Sequence, residues 1–388
     1  MSELEELINE LCPNGVVQKK LKDIAFLKRG MPLTKSKAVS GDIPVISGGK
    51  EPAFYCNTFN RYGENITIAG SGAGAGYVQY WDVPIFASDC FTITGLKTIE
   101  TKFLYYFMSS IQDKIYSTKK GGGVPHVHIS DVENFNVPVP PLKIQHEIIR
   151  ILDNFIELTE ELTEELTVRK KQYEYYRDKL LTFSDTVEYK YLHEITLKKI
   201  VDGMHNLPQH FSTGYAPILS ALNIADGKIK LDSTKFVTKE VFEKENMRTS
   251  ITVGDVLLTI VATLGRSAVV TDDIKVLLQR SVAVIKPNPL IILSKYLKYY
   301  LDTSLVQKYI SENAHGAAQK GFYIKQLEKL LIPLPSLDEQ QKIIDILDNF
   351  NYLSLDITTG ILTEIEWRKK QYEYYRDKLL SFEVKCHD

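Results

Sequence analysis

Arg169–Phe183 reads RKKQYEYYRDKLLTF and Arg368–Phe382 reads RKKQYEYYRDKLLSF, one difference in 15 positions. Chance does not give such a match, so the chain is internally duplicated and its fold must accommodate the repeat twice. A second block precedes each copy. Val137-Pro138-Val139-Pro140-Pro141-Leu142 through Ile151-Leu152-Asp153-Asn154-Phe155 matches Ile332-Pro333-Leu334-Pro335-Ser336-Leu337 through Ile346-Leu347-Asp348-Asn349-Phe350, displaced by 195 residues. Upstream of each block lies a helical stretch rich in Tyr and Leu, Phe103 to Tyr116 and Tyr296 to Ile310, followed by a Gly-containing loop. The chain is therefore two tandem halves.

The repeated blocks read as long helices. After the Pro-rich entry, apolar residues fall at Ile148, Leu152, Phe155, Leu158, Leu162, Leu166, Tyr173, Tyr176 and Leu180. In the second half the series is Ile343, Leu347, Phe350, Leu353, Ile357, Ile361, Ile365, Tyr372, Tyr375 and Leu379. Steps of three and four are the coiled-coil pattern. The second series has one more step of four, which keeps the apolar face and adds about 6 Å of helix. The first helix spells Leu-Thr-Glu-Glu twice, at Leu158–Glu161 and Leu162–Glu165, as though it grew by whole turns. A rod of roughly 42 residues would be about 63 Å long.

Four segments follow: a lobe over 1–141, a spacer helix over 142–183, a second lobe over 184–336 and a second spacer helix over 337–388. The lobes differ greatly in sequence, but both carry short Val/Ile/Thr/Tyr runs broken by Gly, Pro and Asn. Asn65–Ile68 and Asp255–Ile260 are the clearest predicted strands. The class is α+β, with two strand-rich lobes and two helical rods.

Charge is distributed unevenly. The net charge of -2 argues at first against nucleic acid. Yet residues 16–120 carry 14 Lys+Arg against 8 Asp+Glu, and residues 187–320 carry 17 against 13. The helical segments are acidic, 7 against 9 over 142–183 and 6 against 10 over 337–383. Acidic rods thus mask basic lobes. Cys12, Cys56, Cys90 and Cys386 lack CxxC spacing, so neither a disulfide framework nor a zinc knuckle is expected. The start Met1-Ser2-Glu3-Leu4-Glu5-Glu6 is acidic, unlike a secretory signal, and no apolar run approaches the roughly 18 residues of a membrane span. A cytoplasmic protein without a membrane partner is expected.

Signs of catalysis are weak. Gly70-Ser71-Gly72-Ala73-Gly74-Ala75-Gly76 follows a predicted strand as a cofactor loop would, but Tyr77-Val78-Gln79-Tyr80-Trp81 reads as another strand where a phosphate-binding helix is required. A hairpin or a close approach to DNA fits better. No Asn-Pro-Pro-Tyr or Asp-Pro-Pro-Tyr motif is present. Asp255, Asp273 and Lys275 loosely match a metal-dependent nuclease, and His126 and His128, two apart on a predicted strand, could share a metal only with further ligands that the spacing does not supply. No Ser sits in a nucleophile elbow. Neither catalytic nor metal residues are expected.

The chain resembles the specificity subunits of type I restriction-modification systems over nearly its whole length. The resemblance rests jointly on the Pro-Leu-Pro exit with Glu339-Gln340-Gln341, the loop Gly123-Val124-Pro125-His126 with its counterpart near Gly316, the stretch from Leu264-Gly265-Arg266 to Gln279-Arg280-Ser281, and the RKKQYEYYRDKLL helices. The first block departs from the family's Pro-Pro-Leu-x-Glu-Gln pattern with Lys143-Ile144-Gln145, and the second has Pro335-Ser336. The resemblance implies two target-recognition domains related by a pseudo-two-fold repeat, each reading half of a split double-stranded DNA target. It also implies antiparallel spacer helices around which two methyltransferase subunits dock. S-adenosylmethionine would belong to those subunits, and ATP and Mg to separate motor-nuclease restriction subunits, leaving this chain without a cofactor. The rival readings are a self-sufficient methyltransferase or nuclease and a free-standing DNA-binding protein.

Phosphate contacts require Lys and Arg, and major-groove readout favours Arg, Gln, Asn and His. In the first lobe the candidates are Lys28, Arg29, Lys35, Lys37, Lys50, Arg61, Lys119, Lys120 and His126. In the second they are Lys199, His205, Asn206, Arg248, Arg266, Gln279, Arg280 and Lys320. A stiff rod between two such readers would hold them at a fixed separation. The near-identical helices suit one partner bound twice, although recent recombination could also have homogenised them.

Overall fold

The computed structural model describes residues 2–184, 187–233, 235–316 and 320–384, with the side chains of Ser2 and residues 353–357 outside the description. The chain divides into two compact units, residues 1–164 with 361–388 and residues 165–360. Each unit holds one lobe, the beginning of one rod and the end of the other. The rods are the helices Leu142–Leu180 and Leu337–Leu379, so within each unit they pair antiparallel.

Local chemistry starts and stops the rods. Proline before each entry has no N–H to lose there. At the second entry, Ser336 N–H donates to the Glu339 carboxylate (3.1 Å) while Glu339 N–H donates to Ser336 Oγ (3.3 Å), a reciprocal cap. Arg177 and Lys179, and likewise Arg376 and Lys378, occupy the last turns, where the helix dipole favours cations.

The seam is built differently in each unit. In the first, Phe155 stacks on Tyr375 at 5.3 Å, and Ile148, Leu152, Leu379 and Leu380 are buried with the lobe's core, against which Tyr372 packs. In the second, Tyr176 meets Phe350 at 5.5 Å and Leu347 is buried, with Leu180 packed against the same core. Leu166, Ile361 and Ile365 are buried and Leu162 is half-buried. Leu158 departs from the expected seam: it is 42% exposed while Thr159 is half-buried. The inward path from Leu152 runs Phe155, Thr159, Leu162, Leu166, because alternating steps of three and four keep each residue near one face, whereas two successive steps of three turn Leu158 about 60° past Phe155. Tyr176 sits on the rim at 39% exposure. Leu353 and Ile357 lie outside the described side chains, as does Cys386.

The lobes share one sheet plan. In the first, a four-stranded antiparallel sheet runs in the order Ala25–Arg29, Cys90–Gly95, Asn65–Ala69, Val78–Trp81. The second has Val201–Asp202, Val282–Ile285, Val256–Thr259, Ser267–Val269 in the same order. The predicted strands at 65–68 and 255–260 are the sheet's inner strands. A three-stranded sheet accompanies each, with one parallel pairing, Val45 on Phe86 and Ile218 on Leu277. Helices Thr101–Ser110 and Ser294–Leu301 cover the sheets, burying Phe103, Leu104, Tyr106 and Met108 in one lobe and Tyr296, Leu297, Tyr300 and Leu301 in the other.

Each lobe is fastened to its rod by equivalent contacts. Gln145 is fully buried; its amide accepts from Glu100 N–H (2.8 Å) and donates to the carbonyls of Thr98 (3.0 Å) and Pro140 (2.7 Å). Gln340, 195 residues later, accepts from Leu293 N–H (2.9 Å) and donates to Ile291 and Pro335 (both 3.0 Å). The Gln of Lys143-Ile144-Gln145 therefore performs the same role as Gln340; the departure from the family pattern falls on Ile144, which is buried where Glu339 makes its cap in the second half. About two turns further on, Asp153 accepts from Lys102 (2.8 Å) and Tyr106, and Asp348 from Lys295 (2.7 Å) and Tyr299 (2.6 Å).

Candidate nucleic-acid interface

The end of the strand Ala25–Arg29 opens a groove of about 570 Å³ in the first lobe, lined by Arg29, Gly70, Ser88, Asp89, His126 and His128 among others. Its floor is set by main-chain bonds: Val127 N–H donates to Gly70 C=O (3.0 Å) and Gly30 N–H to Cys90 C=O (2.8 Å). The loop Gly121–Pro125 rises beside it, closed by two hydrogen bonds between Lys120 and His126 (3.0 and 2.8 Å). His126 and His128 rings stack at 6.0 Å. Asp131 accepts from His128 N–H (2.9 Å) and from the Lys120 ammonium. Burial works against its charge, but those two donors hold the Asp131 carboxyl below its ordinary range.

The second lobe has a groove of about 550 Å³ in the corresponding place, lined by Asp202, His205, Ile260, Arg280, Tyr323 and Lys325 among others. The same main-chain bonds define it. Phe322 N–H donates to Ile260 C=O (2.7 Å), Gly203 N–H to Val282 C=O (3.1 Å), and His315 and Gly321 exchange two bonds (2.9 and 2.8 Å). Asp202 receives His205 Nε2 at 2.9 Å and the Arg248 guanidinium, whose Nε also donates to its carbonyl at 2.9 Å.

Of the predicted DNA contacts, the structure brings together Arg29 and His126 in one groove, with Lys120 at its edge, and His205 and Arg280 in the other, with Arg248 joined through Asp202. Gln279 adjoins Arg280, Asn206 adjoins His205, and Lys320 precedes Gly321 at the rim; Arg280, Asn206 and Lys320 are exposed. Lys28, Lys35, Lys37, Lys50, Lys199 and Arg266 are exposed but lie outside the grooves, Lys50 and the half-buried Lys119 lying over the rings of Tyr77 (5.0 Å) and Tyr116 (4.0 Å). Arg61 corrects its expectation. It is 7% exposed, and its guanidinium donates to Thr92 Oγ1 (2.6 Å), Asn60 C=O (2.8 Å) and Arg29 C=O (2.8 Å). It is a strut inside the lobe because two sequence-distant acceptors, Thr92 and Arg29, converge on it together with the neighbouring Asn60 carbonyl.

Other expectations are placed as follows. Gly70–Gly76 connects the antiparallel strands Asn65–Ala69 and Val78–Trp81, with Gly72 and Gly76 at φ +82° and +84°. His126 and His128 lie on either side of a short β-bridge and a helix start, not along one strand. Asp255 is bound by Thr252 N–H (2.8 Å) and the Lys286 ammonium, while Lys275 lies over the Tyr215 ring. Among the described residues no group of three or more His, Cys, Asp or Glu is arranged to hold a metal. No described helix is long and apolar enough to cross a membrane.

His128, Tyr323 and Lys325 were missed as DNA candidates. Their signal was the main-chain loop shared by the two lobes, together with Arg29-Gly30-Met31 and Asp202-Gly203-Met204, a repeated Gly-Met that marks both strand ends.

A family model for the type I restriction modification DNA specificity domain matches residues 13–168 and again 204–367. The chain belongs to the type I specificity subunits. The specificity subunit of the Escherichia coli EcoR124I/EcoR124II type I restriction enzyme is 32% identical over 72% of this chain and 70% of its own length. A Mycoplasma pneumoniae chain described as a type I specificity subunit is 30% identical over 94% and 97%. Among solved structures, one from a study of complex assembly and conformational transition of the type I restriction-modification system covers 95% of this chain and 98% of its own, at TM-score 0.63 and 16% identity. A Mycoplasma genitalium type I S subunit gives 0.52 at 18% identity, covering 94% and 96%. Both solved structures share the fold described above.

Proposed function

We propose that each lobe of this specificity subunit reads one half of a split duplex-DNA target through its groove. The rods would set the spacing and hold two methyltransferase subunits, and this chain would supply recognition without catalysis. S-adenosylmethionine then belongs to the methyltransferase subunits, and ATP and Mg to restriction subunits. The observation that carries the reading is that two lobes of divergent sequence present grooves built on the same main-chain frame, each fastened to its rod by the same Gln and Asp contacts. A shared frame with different side chains is what two readers of different sequences require. Docking of one partner twice is supported by the repeat itself. Tyr175 and Tyr374 are 60% and 62% exposed, and folding does not require an exposed tyrosine to be kept in both copies, whereas a shared partner does.

The test is to express the chain with a methyltransferase subunit and map the methylated bases genome-wide. A two-part motif with a fixed gap is expected, and exchanging one lobe for that of a relative should change one part only. A continuous motif, or methyl transfer by the purified chain alone, would overturn the proposal.

A further inference from the structure

Overlaying the two lobes by their main-chain bonds pairs their groove residues one to one. Gly30 and Gly203 occupy the same place, each bonded to the first residue of the neighbouring strand. A Cβ on either would come within 2.1 Å of a carbonyl oxygen, that of Ser88 or Leu278, so both must be glycine. The frame is fixed, and the chemistry around it is not. Immediately before the glycine stands Arg29 in one lobe and Asp202 in the other. The position of His128 is taken by Tyr323. The pair Lys120–Asp131, an ion pair, is replaced by His315 and Gln326, whose nitrogens lie 3.2 Å apart. Side chains that only supported the fold would keep their character between copies of one frame; these change charge or ring type.

We infer that Arg29 and Asp202 are specificity-determining residues, the point at which the two half-sites are told apart. This rests on the reading that each lobe recognises one half-target. Arg29 is exposed in its groove and, among the described residues, enters no ion pair, so its guanidinium is available for the two acceptors of a guanine in the major groove. Asp202 acts in the opposite way. Its carboxylate is engaged on both oxygens, by His205 and Arg248, and it positions those two donors toward the second half-target. The strand end thus offers a donor fork directly in the first lobe and through a carboxylate bracket in the second.

The experiment uses the full chain in complex with its methyltransferase subunit, with methylated positions read from a random-sequence duplex library. Arg29→Ala should relax one base position in one half-target, lowering discrimination there about 10- to 100-fold, and leave the other half unchanged. Arg29→Lys should not restore it, because an ammonium keeps the charge but lacks the planar fork. Asp202→Ala and His205→Ala should both alter the other half-target only. A uniform loss of affinity at every sequence in Arg29→Ala, made good by the charge of Arg29→Lys, would make Arg29 a phosphate contact and overturn the inference. An unchanged motif in Arg29→Ala would do the same. If the wild-type complex gives no two-part motif, the half-target reading fails first, and the inference with it.

Discussion

The Tyr299 hydroxyl donates to Asp348 across 2.6 Å, and Lys295 closes on the other carboxylate oxygen at 2.7 Å. Three residues thereby join the second lobe's covering helix to the entry of its rod. Burial disfavours the Asp348 charge, but Lys295 and Tyr299 outweigh it and hold the carboxyl below its ordinary range. A carboxyl depressed in the folded state contributes stability that is present above its unfolded value, about 3.9, and is lost as pH falls through the lower folded value. Asp348→Ala should therefore destabilise the fold at pH 7 by about 1–2 kcal/mol given the partial exposure of the pair, seen as a lower urea midpoint. The deficit relative to wild type should shrink in acid below the ordinary carboxylate range. A constant deficit from pH 7 to pH 3 would argue against the ion pair as the cause.

Gln145 and Gln340 have no solvent exposure and make three hydrogen bonds each. Truncating either to Ala would leave a buried N–H and two carbonyls unsatisfied, a loss of about 2–4 kcal/mol. Limited proteolysis should then cut first in the unit that lost its glutamine, the first unit for Gln145→Ala and the second for Gln340→Ala. Equal sensitivity of both units in each variant would contradict separate anchoring.

Arg61→Ala removes a buried charge that satisfies main-chain and hydroxyl acceptors, and should cost about 2–3 kcal/mol. Because the residue sits inside the lobe, the folded variant should keep the recognised sequence intact. A stable variant with a changed half-target would place Arg61 in the interface after all.

Tyr175 and Tyr374 give a separable test of partner docking. Their exposure means that Ala at either should shift stability by no more than about 0.5 kcal/mol. If each anchors one methyltransferase subunit, a single variant should weaken one binding event by roughly 30-fold, the range of an interface hot spot near 2 kcal/mol, and the double variant both. Native mass measurement would show two partners falling to one and then to none. Undiminished loading of the double variant would exclude this face.

Deleting Leu162–Glu165 should shorten the gap in the target and spare both half-sequences. Four residues remove about 6 Å of helix and about 40° of rotation beyond a full turn. That length corresponds to one or two base pairs of DNA at about 3.4 Å each. Mapping methylated sites made by the variant with its partner reads the gap directly. An active enzyme with its gap unchanged would show that the rods do not measure it.

Much of this architecture is legible in the sequence. The 15-residue repeat and the 195-residue offset impose two like halves, and the three–four apolar spacing imposes rods, because periodicity reports local structure wherever a helix buries one face. The alternation and β-branched residues of 65–68 and 255–260 located the inner strands for the same reason. Where the stripe had two nearly equivalent paths, the linear pattern chose the more apolar residue, Leu158, while the helix's own pitch turned Thr159 inward.

Only the tertiary structure decided the rest. Which lysines and arginines belong to one groove depends on strand ends and loops that are far apart in sequence, as Arg29, Asp89 and His128 are. It also depends on whether a cation finds acceptors inside the protein. Arg61 and Arg29 are both arginines in a basic lobe; one is consumed by the carbonyl of the other, and its partner is left facing solvent. The correspondence of Arg29 with Asp202 was beyond reach of the 195-residue offset, because insertions within the lobes shift the register. It emerged from the hydrogen bonds of Gly30 and Gly203, which preserve a frame that the surrounding side chains do not.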